Sequence, residues 1–234
     1  MVVRPTFLPL SEACWFIQQG AERGRNAEED TVPSAQTSGL DNMKTSAQFR
    51  QQAAFLRESS GSTKIEKTLL KALKVLKLFS IPHYVCSGFA VQERGYPRFT
   101  VDVDIIVPDV ESAIEKLSIN GFKQNQGSRM TVTDRETKVE VDLLPGGKRF
   151  YPSPLALPVP TQVSDKPQIL PLETLIAAKL STYIGRGIDR SQDYADVVQL
   201  VKINRLPRDF GIDPKVSDEY HKLWDALHQP DRKA

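Results

Sequence analysis

The chain has 234 residues, of which 40% are apolar, enough for the core of one catalytic domain and a smaller helical part. Its 31 basic and 29 acidic side chains give a net charge of +2, too balanced to indicate general nucleic-acid binding. Nothing in the composition indicates a fibrous, collagen-like or wholly disordered protein.

Cysteine usage and hydropathy bear on location. Cys14 and Cys86 stand in unrelated sequence contexts, and no pattern indicates a disulfide framework or a zinc site. The short apolar patch at 7–10 is broken by a proline and makes a poor signal peptide. No stretch approaches the roughly 18 apolar residues of a membrane span. We therefore expect a soluble, cytoplasmic protein with no membrane partner.

The first part of the chain, residues 1–60, is predicted to be a flexible leader. Residues 18–46 have almost no large apolar side chains, so burial cannot offset the entropic cost of ordering them. Met43 is a candidate natural start, because every informative pattern lies beyond it; a genuine N-terminal extension is the equal alternative. We expect a core domain at 61–150 and a proline-rich crossing with a helical subdomain at 151–234.

The first predicted element is an amphipathic helix from Thr63 to Phe79. Apolar residues recur on one side at helical spacing, and lysines recur on the other. The apolar positions are Ile65, Leu69, Leu73 and Leu76, and the lysines are Lys64, Lys67, Lys71, Lys74 and Lys77. Such a basic face is usually only solvated, and contact with RNA or phosphate is the alternative.

Short strands and helices alternate after this helix. The predicted elements are a strand at 83–86, a helix at 89–94, a strand at 99–107, a helix capped by Asp109 and closed by Gly121, and strands at 129–133 and 137–144. Beyond the proline-rich crossing, helices follow from Leu172. This order predicts an α/β (α+β) fold, with a small mixed β-sheet flanked by helices and a C-terminal helical subdomain.

Two predicted strands carry acids at a spacing of two. Asp102 and Asp104 share one strand face, opposite a valine-rich face, and Glu140 and Asp142 do the same further on. Crowded carboxylates raise each other's pKa unless a cation neutralises them, and Mg²⁺ prefers oxygen ligands. We expect Asp102, Asp104 and Asp142 to be catalytic and to bind the metal. Glu140 replaces Asp142 if the strand register differs, and an amphipathic strand whose acids face water is the alternative.

Residues 87–104 read Ser-Gly-Phe-Ala-Val-Gln-Glu-Arg-Gly-Tyr-Pro-Arg-Phe-Thr-Val-Asp-Val-Asp. This segment resembles the signature of DNA polymerase β-like nucleotidyltransferases: a Gly-Gly or Gly-Ser turn, a short helix, then Arg-x-Ser/Thr-x-Asp-x-Asp. The turn here reverses the Gly-Ser order. The resemblance implies that Ser87, Gly88 and Arg98 contact a nucleotide, since N–H groups at a helix start attract phosphate. An ordinary bend and a surface arginine are the alternatives.

Residues 171–197 are similar to the tail of the abortive-infection toxin-type, or minimal, nucleotidyltransferases, where a helical lysine precedes Arg-x-Lys-Asp-x-x-Asp-Leu/Val. Lys179 matches that lysine, and Arg190 and Asp193 match the later motif, but Gln192 replaces its lysine. The resemblance implies that Lys179 and Asp193 belong to the nucleotide site. A snorkelling lysine and a structural Arg190–Asp193 pair are the alternatives.

The resemblance implies transfer of a nucleoside monophosphate from a triphosphate such as ATP to a hydroxyl, with Mg²⁺ or Mn²⁺ as cofactor. The acceptor stays open among transfer RNA, a protein side chain and a small molecule. A toxin-type protein would also have an antitoxin partner. The alternative function is a catalytically silent nucleotide-binding or partner-binding protein on the same fold.

Overall fold

The computed structural model describes residues 63–150, 152–164 and 166–229; the predicted leader lies outside this range. The helices are α1 (Lys64–Leu78), α2 (Ser87–Glu93), α3 (Val110–Ser118), α4 (Leu172–Arg186), α5 (Ser191–Asn204) and α6 (Pro214–Leu227), with a 3₁₀ helix at Gly187–Arg190. The strands are β1 (Tyr84–Val85), β2 (Val103–Val107), β3 (Phe122–Gln124), β4 (Thr131–Asp134) and β5 (Glu140–Pro145). No described helix is long and apolar enough to cross a bilayer.

The five strands form one sheet in the order β1-β2-β5-β4-β3. The two central strands, β2 and β5, run parallel, and every other neighbouring pair is antiparallel. A mixed sheet with flanking helices confirms the predicted fold class. Strand β3 was not among the predicted strands, because its three residues are too few to show an alternating pattern. The boundary placed at residue 150 stays a prediction.

Helix α1 begins as its sequence predicts. Thr63 and Glu66 form a capping box, in which each side chain accepts a hydrogen bond from the other residue's backbone N–H. Its apolar face packs with α3 against Ile105 and the other side chains on the same face of the sheet. Because side chains alternate along a strand, Asp104 lies on the opposite face. The basic helix α1 is therefore on the far side of the sheet from Asp104.

The other face of the sheet is covered by the C-terminal helices. Ile106 of β2 belongs to a second hydrophobic cluster with residues of α4, α5 and α6. The end of the proline-rich crossing runs beside β1, where Val85 N donates to Gln168 O at 2.8 Å and Leu170 N donates to Val85 O at 3.0 Å. The helices therefore pack on the face of the sheet that carries Asp104.

The structure corrects the predicted strand at 99–107, which begins only at Val103. Phe99 and Val101 are 81% and 65% exposed, although Val101 was expected on the core face. The pairing explains the difference: β5 meets β2 first at Val103, and β1 pairs only with Ile105 and Ile106. Without a neighbouring strand, alternation alone does not make a segment a strand.

Candidate active site

The predicted acids Asp102, Asp104 and Asp142 come together near the N-terminal end of β2, where it pairs with β5. Asp104 and Asp142 are Cα partners in the β2–β5 ladder, so their side chains point to the same face of the sheet. Asp102 lies just before β2 begins. Glu140 is exposed and accepts a hydrogen bond from Asn125 Nδ2 at 2.8 Å. The register therefore places Asp142, rather than Glu140, opposite Asp104.

The electrostatics of Asp104 reflect this crowding. Burial and the negative charges of Asp102 and Asp142 raise the pKa of Asp104 to about 6. A hydrogen bond from Ser87 and the positive charge of Lys179 oppose the rise without cancelling it. Burial is the largest cause of the raised pKa, and a buried carboxyl beside two like charges is common at catalytic and metal-binding positions.

The other two acids are held by neighbouring hydroxyls. Thr100 Oγ1 donates to Asp102 Oδ1 at 3.1 Å, and Thr131 Oγ1 donates to Asp142 Oδ1 at 2.6 Å. Each bond occupies one oxygen of its carboxylate. Within the described residues, no group of three or more histidines, cysteines or acids has the geometry to hold a metal ion.

The Ser87-Gly88 turn packs directly against the loop that precedes β2. Ser87 has a φ of 52°, in the left-handed region, and it hydrogen-bonds to Asp104. A Cβ on Gly88 would lie 2.6 Å from Thr100 Oγ1 and 2.8 Å from Thr100 Cβ. Gly88 is therefore needed for the close approach of Thr100, and Ser87 is the member of the turn that faces the site.

Lys179 has partners within the chain. Its Nζ atom lies 2.9 Å from Asp193 Oδ1 and 2.7 Å from Asp196 Oδ2. Arg98 Nε lies 3.2 Å from Asp196 Oδ1, and Arg190 Nε lies 2.9 Å from Asp193 Oδ2. We call these five residues the charged network. It ties the loop before β2 to the C-terminal helices, and it contains the Arg190–Asp193 pair that was the structural alternative.

Asp196 is a member of this network that sequence reasoning did not select as a site residue. It is fully buried and also accepts a hydrogen bond from Gln192 Nε2 at 2.9 Å. The predicted apolar stripe through Val197 did not reveal this burial, because adjacent positions of a helix do not share a face. Three residues earlier, Asp193 shares its helix side.

A cavity of about 270 Å³ lies between the loop before β2 and the start of α5. Its lining residues are Ser87, Arg98, Phe99, Thr100, Val101, Asp102, Asp189, Arg190, Gln192 and Asp193. Four predicted site residues thus meet at one cavity: Ser87, Arg98, Asp102 and Asp193. Asp104 joins them through its hydrogen bond with Ser87, and Lys179 joins them through its ion pair with Asp193.

No protein-family model matches this sequence, and no curated protein matches it significantly. Among solved structures, it is similar to the solution structure of the antibiotic-resistance factor ANT(2'')-Ia, at 9% identity and a TM-score of 0.39, over 77% of this chain and 94% of that one. It is also similar to the CdnC:HORMA-deltaN complex of E. coli MS115-1, at 16% identity and a TM-score of 0.26, over 80% of this chain and 60% of that one. The functional proposal rests on the site itself.

Proposed function

We propose that this protein is a metal-dependent nucleotidyltransferase of the DNA polymerase β-like superfamily. It transfers a nucleoside monophosphate from a nucleoside triphosphate to a hydroxyl acceptor. The observation that carries the proposal is the strand register that sets Asp104 beside Asp142, with Asp102 two residues from Asp104. Acids from two adjacent strands, next to a polar cavity, form the kind of site at which phosphoryl-group chemistry is catalysed.

The chemistry of these side chains fits Mg²⁺ or Mn²⁺. Three carboxylates supply hard oxygen ligands, and the charges of Asp102 and Asp142 add to burial in raising the pKa of Asp104. Asp102 and Asp142 would hold the ion together with Asp104, because the hydrogen bonds from Thr100 and Thr131 each occupy only one carboxylate oxygen. A bound ion neutralises triphosphate charge and makes a hydroxyl a better nucleophile.

The chain's own residues have separable roles in the transfer. The acceptor oxygen forms a bond to the α-phosphorus while the bond from that phosphorus to the bridging oxygen of pyrophosphate breaks. Asp142 accepts the acceptor's proton, since one of its carboxylate oxygens is not used by Thr131. Ser87 and Arg190 line the cavity and stabilise the triphosphate by hydrogen bonds and charge.

A silent nucleotide-binding or partner-binding protein is the second candidate. Two observations favour it: the described acids do not form a three-ligand metal group, and Lys179 is already paired with Asp193 and Asp196. This candidate predicts nucleotide binding without Mg²⁺-dependent stabilisation. A thermal melt with a nucleoside triphosphate, with and without Mg²⁺, separates the two functions.

The deciding experiment measures label transfer. The full chain is incubated with each α-labelled nucleoside triphosphate, Mg²⁺ and total RNA or cell lysate. Wild type should transfer label, Asp104→Asn should not, and the exposed Glu115→Gln on α3 should match wild type. Equal transfer by Asp104→Asn contradicts the proposed metal site, and no transfer by any of them favours the silent protein.

The same assay identifies the acceptor. Fractionating the label among RNA, protein and small molecules distinguishes the three predicted classes. We propose RNA or protein as the acceptor, by analogy with the toxin-type nucleotidyltransferases that the sequence resembles, with an antitoxin as cellular partner. This predicts growth arrest when wild type, but not Asp104→Asn, is expressed. Label found only in small molecules, or equal arrest by both proteins, contradicts the toxin role.

A further inference from the structure

Residues 98–102, which we call the cleft loop, join the end of the α2 region to β2 and are anchored at alternate positions. Arg98 is paired with the buried Asp196. Thr100 is buried against Gly88 and donates a hydrogen bond to Asp102. These contacts lie on the inner side of the loop, so its path is determined by the protein and does not depend on a ligand.

The two residues between these anchors have the opposite environment. Phe99 and Val101 are 81% and 65% exposed, and both line the cavity that contains Ser87 and Asp102. Large apolar side chains held at the wall of a polar cavity are typical of ligand sites, because burying them against a ligand removes apolar surface from water. Because Arg98 and Thr100 are anchored, the backbone positions of Phe99 and Val101 are determined before binding, which reduces the entropic cost.

The cavity therefore has two chemically different parts. Asp102, Ser87 and Arg190 offer charge and hydrogen bonds, whereas Phe99 and Val101 offer an aromatic ring and an aliphatic edge. A molecule with phosphates at one end and a flat, weakly polar ring at the other matches both parts. Among the substrates of the proposed reaction, the nucleoside triphosphate has this chemistry.

We propose that Phe99, with Val101 beside it, is the platform on which the base of the nucleotide stacks. The inference rests on the proposed function and adds the residue that binds the end of the substrate away from its phosphates. Stacking uses the face of the base and reads none of its hydrogen-bonding groups. Phe99 therefore contributes affinity for all four nucleotides.

The test compares two ligands that share the phosphates and differ in the base. Calorimetry measures binding of an α,β-methylene nucleoside triphosphate analogue and of inorganic tripolyphosphate to the full chain, both with Mg²⁺. Phe99→Ala should weaken the analogue about 5- to 30-fold, the range for loss of one base–aromatic stack, and should leave tripolyphosphate unchanged. Phe99→Leu should fall between wild type and Phe99→Ala, and Phe99→Trp should bind at least as tightly as wild type.

Ile119→Ala is the matched control, because Ile119 is 70% exposed and follows α3, on the other side of the sheet. It should bind both ligands like wild type. Unchanged analogue binding by Phe99→Ala, or an equal loss for tripolyphosphate, overturns the platform. Since Phe99 is so exposed, none of its variants should fail to fold.

Failure of this inference differs from failure of the proposed function. Phe99-dependent binding without label transfer supports the platform on a silent protein. Asp104-dependent transfer with binding indifferent to Phe99 removes the platform and keeps the enzyme. If wild type does not bind the analogue, both proposals fall.

Discussion

Two lysines bind carboxylates on opposite faces of the sheet, and they differ in what surrounds them. Behind the sheet, Lys71 Nζ lies 2.6 Å from Asp134 Oδ1, and the Lys71 side chain is 31% exposed. On the site face, the Lys179 side chain is only 5% exposed and pairs with both Asp193 and Asp196. The first is a local ion pair, whereas the second belongs to the charged network, which extends to the cavity.

The two environments shift the pKa values of the nearby acids in opposite directions. Burial raises the pKa of Asp134, but hydrogen bonds from Lys71 and from the Glu136 backbone N–H outweigh it, so the pKa ends below its usual value. On the site face, burial and two like charges raise the pKa of Asp104 to about 6. The partners of Asp134 stabilise its charged form, whereas burial and the neighbouring acids destabilise the charged form of Asp104. Raised carboxyl pKa values of that kind are enriched at functional sites.

The largest expected difference between the two regions is in kcat/KM after each lysine is replaced. Lys179→Met should lower kcat/KM for the nucleotide about 100-fold, the cost of displacing positioning groups, because it leaves Asp193 at the cavity and the buried Asp196 without their shared cation. Lys71→Met should leave kcat/KM unchanged, because its charge acts on the far side of the sheet. Steady-state kinetics on both variants measures this, and equal losses would show that the two lysines have the same role.

Replacing the buried carboxylates Asp196 and Asp134 separates an effect on stability from an effect on catalysis. Asp196→Asn and Asp134→Asn should each reduce the free energy of unfolding by about 3 kcal/mol, because each leaves a cation without its charged partner. Urea denaturation measures that loss. In the folded fraction, Asp196→Asn should also lower kcat, since Arg98 no longer holds the cleft loop. Asp134→Asn should keep the wild-type kcat, and a similar fall there would contradict the comparison.

The pH dependence should have opposite signs in the two regions. Between pH 4 and 6 folded Asp104 binds protons that the unfolded chain has released, so stability falls as pH rises, by about 3 kcal/mol in total. Asp134, with its lowered pKa, stabilises the fold above pH 4 and loses that contribution on acidification. Melting curves from pH 3 to 8 should show the first slope disappear in Asp104→Asn. Its persistence there would assign it to another group.

The smallest effect concerns the turn beside Asp104. Gly88→Ala places a Cβ against Thr100 and should cost about 1–3 kcal/mol, as overpacking usually does. Gly211→Ala is the control, because no atom lies within 4 Å of the added Cβ and its backbone is not in the left-handed region. Equal melting temperatures for the two variants would mean that the cleft loop is less closely anchored than the contacts indicate.

Much of the local structure was predictable. The apolar repeat predicted that α1 starts at Thr63, and Asp109 was expected to cap α3; the structure contains both helix starts. The strand around Asp142 also has the predicted alternation of buried and accessible residues. These signals act within a few residues, through capping hydrogen bonds and the two-residue repeat of a strand. The segment from Phe99 to Asp102 had the same alternation but no adjacent strand.

By itself, the sequence determined that Asp104 and Asp142 each lie on the strand face away from the valines, because the pleat of an extended chain alternates its side chains. Tertiary structure decided that β2 and β5 are parallel neighbours in a register that pairs these two acids. It also decided that Lys179 and Arg98 meet on Asp196. Strand pairing and burial join residues far apart in the chain, and no local periodicity encodes which distant segments will pack together.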